Sequence, residues 1–359
     1  MPEDGMSRSR PTVLLLVIAA TVRPAFAGDP ADLMHRVPDA NATITRIAVG
    51  SCLHQRRPAP ALRAMAAMRP DLVLLLGDNV YADTDDPGRM RAAYGDLAAN
   101  PDYRTLVVAA PVLAVWDDHD YGADDAGAEW RFKRIAKDIM LDFFDEPADS
   151  PRRAHDGVYD ARVFGPAGRR VQVILLDTRW FRSPLSRRNR AYVPTTDPQA
   201  TILGDAQWAW LQAQLRVPAE VRILASSIQV VADEHAFEKW ANVPGERDRL
   251  LRVLADKGAQ GLVIVSGDRH RGELSILDDD RLGYPLHDLT ASSLNVPVPG
   301  DEPNRFRHGR LVTSANIGAI EIDWDAAPPT LALRLHDAAG GVVVEHRVPL
   351  DRLRSRRGR

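Results

Sequence analysis

Four short segments carry residue types that bind cations and handle phosphate. They are Gly50-Ser51-Cys52, Gly77-Asp78-Asn79-Val80-Tyr81, Trp116-Asp117-Asp118-His119-Asp120 and Ser266-Gly267-Asp268-Arg269-His270. Each follows a run of Val, Ile, Leu or Ala. One acidic loop is ordinarily solvated surface. Four of them, each placed where a buried strand gives way to a loop, point to one convergent site, because open α/β sheets collect ligands at the carboxyl ends of their strands.

The chemistry differs from segment to segment. An Asp at a strand end commonly caps a turn, but Asp78 is followed three residues on by the phenol of Tyr81. A carboxylate can bridge two cations, and two-metal sites with a separation of about 3.5–4 Å are common in phosphoryl transfer. Cys52 is the only cysteine. Such a residue is a small buried hydrophobe, a reactive thiol or a metal ligand, and its place beside the other loops favours the ligand. A phenolate next to a thiolate suits ferric iron. Asp268 and His270 form a D-x-H pair whose side chains project to the same side of an extended segment; the plainer reading is a strand-end Asp beside an exposed His. Carboxylates flank His119 and favour its protonated form. It then becomes a proton donor to a leaving oxygen, or a stabiliser of charge developing on phosphorus, unless DDHD is only an acidic surface loop. Arg179, Arg182, Arg56 and Arg57 are candidate phosphate grips through paired hydrogen bonds, although arginines taken singly are usually solvated. The sequence has neither a Gly-rich nucleotide loop nor a serine nucleophile elbow.

These segments need rigid elements to position them. Strands are expected over 43–50, 71–76, 111–116, 171–176, 221–227 and 261–266, the second apolar throughout and so buried on both faces. Helices are expected over 60–68, 87–99, 129–144, 204–215 and 244–257. A polar, arginine-rich excursion occupies 182–201. After 288 the texture changes to shorter strands, over 289–292, 319–324, 331–336 and 342–348, joined by Pro- and Gly-containing turns. Alternating strands and helices followed by antiparallel strands suit an α/β fold of two packed sheets with helices outside.

The chain has 359 residues, 45% hydrophobic and 26% charged, enough to bury a core, and a net charge of −3, so no global field recruits nucleic acid. Arg8 and Arg10 precede an apolar run over 13–22, and Ala25-Phe26-Ala27 follows as a small-x-small pattern. This reads as a secretory signal over 1–27, cleaved after Ala27, too short to span a bilayer, which takes about 20 residues. Residues 28–350 are expected to form a single domain, with catalytic motifs over 44–297 and C-terminal strands over 311–350. Residues 351–359 form a basic tail.

Taken together, GSC, GDNVY, WDDHD, LDTRWFR, the L-G-x-x-Q-W-x-W-L run starting at Leu203 and SGDRH resemble the PhoD-like alkaline phosphatases and phosphodiesterases of the calcineurin-like metallophosphoesterase superfamily. The resemblance covers roughly 43–297. It implies an α/β/β/α sandwich of two packed mixed sheets flanked by helices, around a dinuclear centre of Fe3+ with Ca2+ or another divalent metal. Carried over residue by residue, it implies that Cys52, Tyr81 and His270 bind iron, that Asp78 bridges, that Asp118 and Asp268 serve the second metal, and that His119 is catalytic. Asp177 and Arg179 match a D-x-R element, for which a phosphate-facing Arg179 is the expectation. Two departures stand out. The catalytic part is expected to begin almost directly after the signal, where the family's better-known secreted members carry an N-terminal β-domain, and the superfamily's histidine after the strand at 221–227 is replaced by Gln229, with His235 farther on. Gln229 is expected near the second metal, where oxygen ligands suit calcium or magnesium.

The expected function is a secreted, metal-dependent hydrolase of phosphoric esters that uses a metal-activated water. The alternatives are a phospholipase-type phosphodiesterase, or a non-catalytic protein that holds phosphate or phospholipid head groups at the same site.

Overall fold

The computed structural model describes residue 1 and residues 35–355. The expected leader over 1–27 and the end of the basic tail, 356–359, lie outside the described residues.

The amino half alternates strands and helices: β1 (Arg46–Gly50), α1 (Pro60–Ala67), β2 (Leu72–Leu76), α2 (Pro87–Ala99), α3 (Pro101–Ala109) and β3 (Val112–Val115). All residues of β2 and β3 are buried, as expected of parallel strands covered on both faces. A short helix α4 (Asp118–Tyr121), then α5 (Lys133–Phe143) and α6 (Pro151–Ala154), lead into a second sheet. That sheet contains β4 (Asp160–Phe164), β5 (Val171–Leu175), β8 (Val221–Ala225), β9 (Leu262–Ser266), β10 (Gly272–Leu277), β11 (Leu286–Ala291) and β12 (Arg307–Val312). A small hairpin, β6 (Ser186–Arg188) and β7 (Ala191–Val193), and helices α7 (Gly204–Gln214) and α8 (Pro244–Asp256) intervene. The chain then returns to the first sheet as β13 (Asn316–Asp323), β14 (Thr330–Asp337) and β15 (Val342–Pro349).

The sheet orders are β15-β14-β13-β1-β2-β3 and β12-β10-β11-β9-β8-β5-β4. β1, β2 and β3 run parallel, as do β5, β8, β9 and β11. Parallel pairing places the carboxyl ends of each set along one rim. Buried apolar residues from Ile44 to Leu353 form one continuous cluster between the layers. Two mixed sheets with helices outside are thus the architecture expected from the alternating pattern.

Several elements depart from the sequence reading. Asn100 ends α2 and caps α3, its side chain accepting from the Asp102 and Tyr103 amides, so an unexpected helix follows. The third-sheet hairpin β6–β7 lies inside the stretch read as a plain excursion, and α5 starts at Lys133 rather than Glu129. β12 (RHGRLV) is a further unexpected strand; as an exposed edge strand it has no apolar alternation to betray it.

Candidate metal centre

The ligand-bearing residues sit where strands end and the chain turns sharply. Cys52 and Asp78 each lie two residues past the end of their strands, β1 and β2, and Asp268 lies two past β9. Cys52, Asp78, Asp268 and His270 all take left-handed backbone angles, with φ of 57°, 51°, 65° and 55°. Such conformations cost of order 1 kcal/mol or more for a residue with a Cβ, and the surrounding hydrogen bonds hold them. The Cys52 amide donates to Gly77 O and the Leu53 amide to Asp78 O (2.8 Å), which joins the first two loops. Glycine is required where the loops touch. At Gly77 (φ 103°) a Cβ would sit 2.5 Å from the backbone nitrogen of Asp117; at Gly267 it would sit 2.6 Å from Ser51 Oγ.

These turns bring three overlapping groups of ligand atoms together. In the first, the ligand atoms of Cys52, Asp78 and His270 lie within 4.8 Å of one another. Cys52 Sγ is 3.4 Å from Asp78 Oδ2, and Tyr81 Oη is 3.3 Å from both Asp78 Oδ2 and His270 Nε2. His270 Nδ1 faces Val296 O at 2.5 Å, so this nitrogen carries the proton and Nε2 keeps its lone pair for a cation. Ser292 Oγ supports both ends of the group: it accepts from the His270 amide (2.8 Å) and lies 3.0 Å from Cys52 Sγ.

The second group joins Asp117, Asp118 and Asp268, and a third links Asp78 to Asp118 and His119, each again within 4.8 Å. Asp78 and Asp118 are therefore shared between groups, the placement a bridging carboxylate needs. Four buried carboxylate oxygens, Asp78 Oδ1, Asp117 Oδ2, Asp118 Oδ1 and Asp268 Oδ2, have no hydrogen-bond partner. Buried polar atoms are almost always partnered, so such oxygens in one place call for protons or cations. Burial pushes Asp78 and Asp117 well above the usual carboxylate range, with neighbouring anions adding to it, and pushes Asp268 up to about 7. Burial likewise raises the Cys52 thiol to about 11 and drives the Tyr81 phenol higher. Cations bound among these groups would reverse each of those penalties. The donor set of thiol, phenol, imidazole and carboxylates fits them.

One cation is supplied by the chain itself. Arg179 is fully buried. Its Nε and Nη2 both bond Asp117 Oδ1 (2.6 and 2.5 Å), and its Nη1 bonds Glu238 (2.6 Å). Arg182, also buried, bonds the other Glu238 oxygen at 2.8 Å. The guanidinium that the sequence suggested would face phosphate is instead enclosed and engaged beside the carboxylates. Burial would raise Asp118, but Arg179, His119 and the Asp125 amide outweigh it and hold Asp118 below the usual range.

His119 lies at the rim, partly exposed. Its Nδ1 is 2.7 Å from Asp83 Oδ1, and its ring packs on Tyr81 with centroids 4.2 Å apart. Burial opposes its charge, but the Asp83 hydrogen bond and the nearby Asp118 and Asp78 prevail and raise it to about 11. These acids favour the protonated ring.

The structure thus brings together Cys52, Asp78, Tyr81, Asp118, Asp268 and His270, with His119 at the edge. Three contributors were not expected. Asp117 was legible in WDDHD as a flanking acid; Ser292 and Glu238 gave no sequence signal, since each acts through partners far along the chain. Gln229 turns its amide to Glu273 (2.7 Å) and Thr290 (2.8 Å) on β10 and β11. His235 is buried behind Arg269 and Lys239, away from the carboxylates that would stabilise its cation; burial and those cations lower it to about 2. Arg56 pairs with Asp96 (2.6 Å) on the surface, and Arg57 is exposed. The 186–193 hairpin is tied to the site through Arg187, which bonds Asp125 Oδ2 at 2.6 Å.

A family model described as PhoD-like phosphatase matches residues 47–320. Alkaline phosphatase D of Bacillus subtilis (strain 168) is 22% identical over 288 residues, 68% of this chain and 48% of that protein, so the chain spans about half the length of the curated relative it matches. The solved structure of PhoD superposes with a TM-score of 0.70 at 18% identity, covering 89% of this chain and 72% of that one. A dimetal phosphatase from Danio rerio superposes with a TM-score of 0.53 at 12% identity, over 86% of this chain and all of that one. GAP50, the anchor in the inner membrane complex of Plasmodium, gives 0.56 at 13% identity, over 86% and 90%. At these identities the superpositions establish a shared metallophosphoesterase-like fold.

Proposed function

Because the chain belongs to the PhoD-like phosphatase family, we propose that it hydrolyses phosphoric esters at a dinuclear metal centre. The observation that carries this reading is the set of four buried carboxylate oxygens that accept no hydrogen bond and meet a thiol, a phenol and an imidazole at the strand ends. Cys52, Tyr81 and His270 would hold an iron(III) ion, Asp78 would bridge, and Asp118 and Asp268, with Asp117 beside them, would hold an oxygen-preferring cation such as Ca2+. When bound, two such cations supply charge to the phosphoryl oxygens and lower the pKa of a coordinated water. The chain does the rest. His119, held protonated by Asp83 and Asp118, donates a proton to the departing ester oxygen. Tyr81 buttresses its ring. Arg179 positions Asp117 and Glu238, a positioning role that fits its complete burial.

Export through the N-terminal segment would place the enzyme where extracellular phosphate esters are its substrates. No helix among the described residues is long and apolar enough to cross a membrane.

The test is turnover of a chromogenic phosphodiester and monoester by the purified protein, with metal removal and restoration. Chelation should abolish turnover and restoration should recover it. Phosphate binding without turnover of either ester, after restoration, would replace this reading with that of a binding protein. Elemental analysis and the visible spectrum test the metals: iron and a charge-transfer band are expected, both reduced in Cys52→Ser. A colourless, iron-free active protein would overturn the iron assignment.

A further inference from the structure

A cluster of three histidines lies outside the site described above. His287 is on β11 in the second sheet, His308 on β12 at that sheet's edge, and His346 on β15 at the edge of the first sheet. His287 Nε2 lies 3.2 Å from His346 Nε2. The ring centroids of His287 and His346 are 5.1 Å apart, and those of His308 and His346 are 4.7 Å apart. The cluster is graded toward solvent: His287 is buried, His346 is half-buried and His308 is exposed.

We propose that His287, His346 and His308 form a second metal site, for a transition cation such as Zn2+ or Cu2+, that clips the edges of the two sheets together. The spacing is the main argument. Two imidazole nitrogens on one tetrahedral Zn2+, each about 2.0–2.1 Å from the metal, stand about 3.3 Å apart. The observed 3.2 Å fits that spacing, and without metal the same two nitrogens share one proton as a hydrogen bond. The chemistry agrees. Neutral imidazole suits Zn2+, Cu2+ and Ni2+, and Cu2+ binds such donors most tightly. Burial, reinforced by His346 and His308, pushes His287 down to about 4, and burial with His308 also lowers His346, which favours the neutral rings that coordinate metal. The exposed His308 packs edge-on against the His346 ring and would complete the set by rotating toward the pair, with water filling the remaining position.

The site is separate from the candidate catalytic centre. His287 precedes Ser292, which supports Cys52, by five residues, about 16 Å of extended strand. The geometry also gives the ion a mechanical role. His346 and His287 belong to different sheets, and no backbone ladder joins β15 to β11. A cation held by both ties the layers where their apolar packing thins toward solvent.

The test uses the untagged, metal-loaded full chain titrated with Zn2+ and, separately, Cu2+. We expect one equivalent beyond the catalytic complement, Cu2+ resonance lines split by two or three imidazole nitrogens, and a melting temperature that rises with Zn2+. His346→Phe should lose that equivalent and the Zn2+-dependent rise while keeping ester hydrolysis. His308→Ala, at an exposed position that does not threaten folding, should weaken the extra site at least tenfold. Equal stoichiometry and equal Cu2+ affinity in the wild type and both variants would overturn the proposal. Because the readout is metal bound outside the catalytic centre, the outcome is independent of whether the protein hydrolyses esters.

Discussion

Arg179 separates two pictures of this site, and Arg179→Met is the perturbation that distinguishes them. If the guanidinium gripped substrate phosphate, its loss would raise KM and leave the fold alone. In the structure it makes two bonds to Asp117, of 2.5 and 2.6 Å, and one to Glu238 of 2.6 Å, with no exposed surface on the arginine and 1% on each carboxylate side chain. Methionine fills much of the same volume but leaves two buried carboxylates facing one another without their cation. Breaking a buried ion pair from one side costs about 3–5 kcal/mol. For a chain of this size that corresponds to a melting temperature lower by roughly 4–7 °C. Glu238 remains bonded to Arg182 at 2.8 Å, which places the expected loss toward the lower end. Asp117, freed from its partner, should turn or take up a proton, and retention of the second cation should weaken. Thermal unfolding, metal content after dialysis and a kcat-against-KM comparison read these consequences separately. Adding Asp117→Asn to Arg179→Met should recover part of the stability, because Asp117 is the buried carboxylate left without its cation. A variant that melts within about 2 °C of the wild type, keeps its metal and shows only a raised KM would refute the positioning role.

Other substitutions test other links. Asp117→Asn keeps the shape but removes one charge beside Asp118 and Asp268; metal retention by equilibrium dialysis should weaken by about 10–100-fold, and unchanged retention would confine Asp117 to holding Arg179. Gly77→Ala places a methyl group 2.5 Å from the Asp117 backbone nitrogen at a φ of 103°, and denaturant unfolding should show a loss of about 3 kcal/mol or more. His235 links stability to pH. Its folded value, about 2, lies below the ordinary 6.5 because it is buried among Arg269, Lys239 and Arg271. The unfolded chain therefore binds the extra proton first. Stability is unaffected above 6.5 and falls as the pH drops from 6.5 toward 2, by up to about 1.4 kcal/mol per pH unit. His235→Gln should flatten that decline in acid-unfolding curves measured side by side, and superimposable curves would show that the acid limb has another origin.

The parallel strands and their rim were legible in the chain because their signal is local. A run such as DLVLLL is apolar at every position, and only a strand covered on both faces has use for that. The runs stop at Gly50, Gly77, Trp116 and Gly267, directly before Ser51-Cys52 or an acid, so the ends of the strands, and the candidate ligands Cys52, Asp78, Asp118, Asp268 and His270 on them, could be read directly. Edge elements could not. β12 is held by pairing to β10, some thirty residues away, and the short, exposed or half-exposed strands of the 186–193 hairpin pair only with each other; neither presents an apolar alternation. The same limit applies to side-chain roles. Arg179 follows a buried strand and looks like a phosphate grip; only the packing of the 233–240 segment, which brings Glu238 onto it, encloses the guanidinium. Asp83, which holds the His119 ring, and Ser292, which supports both Cys52 and His270, are ordinary residues until the loops converge. The sequence by itself determined which residue types stand at the strand ends, since burial and turn chemistry act within a few neighbours. The tertiary structure alone decided which of them share a site, which are enclosed, and which protons they hold, because Coulombic and desolvation energies depend on distances that the chain establishes only once it is folded.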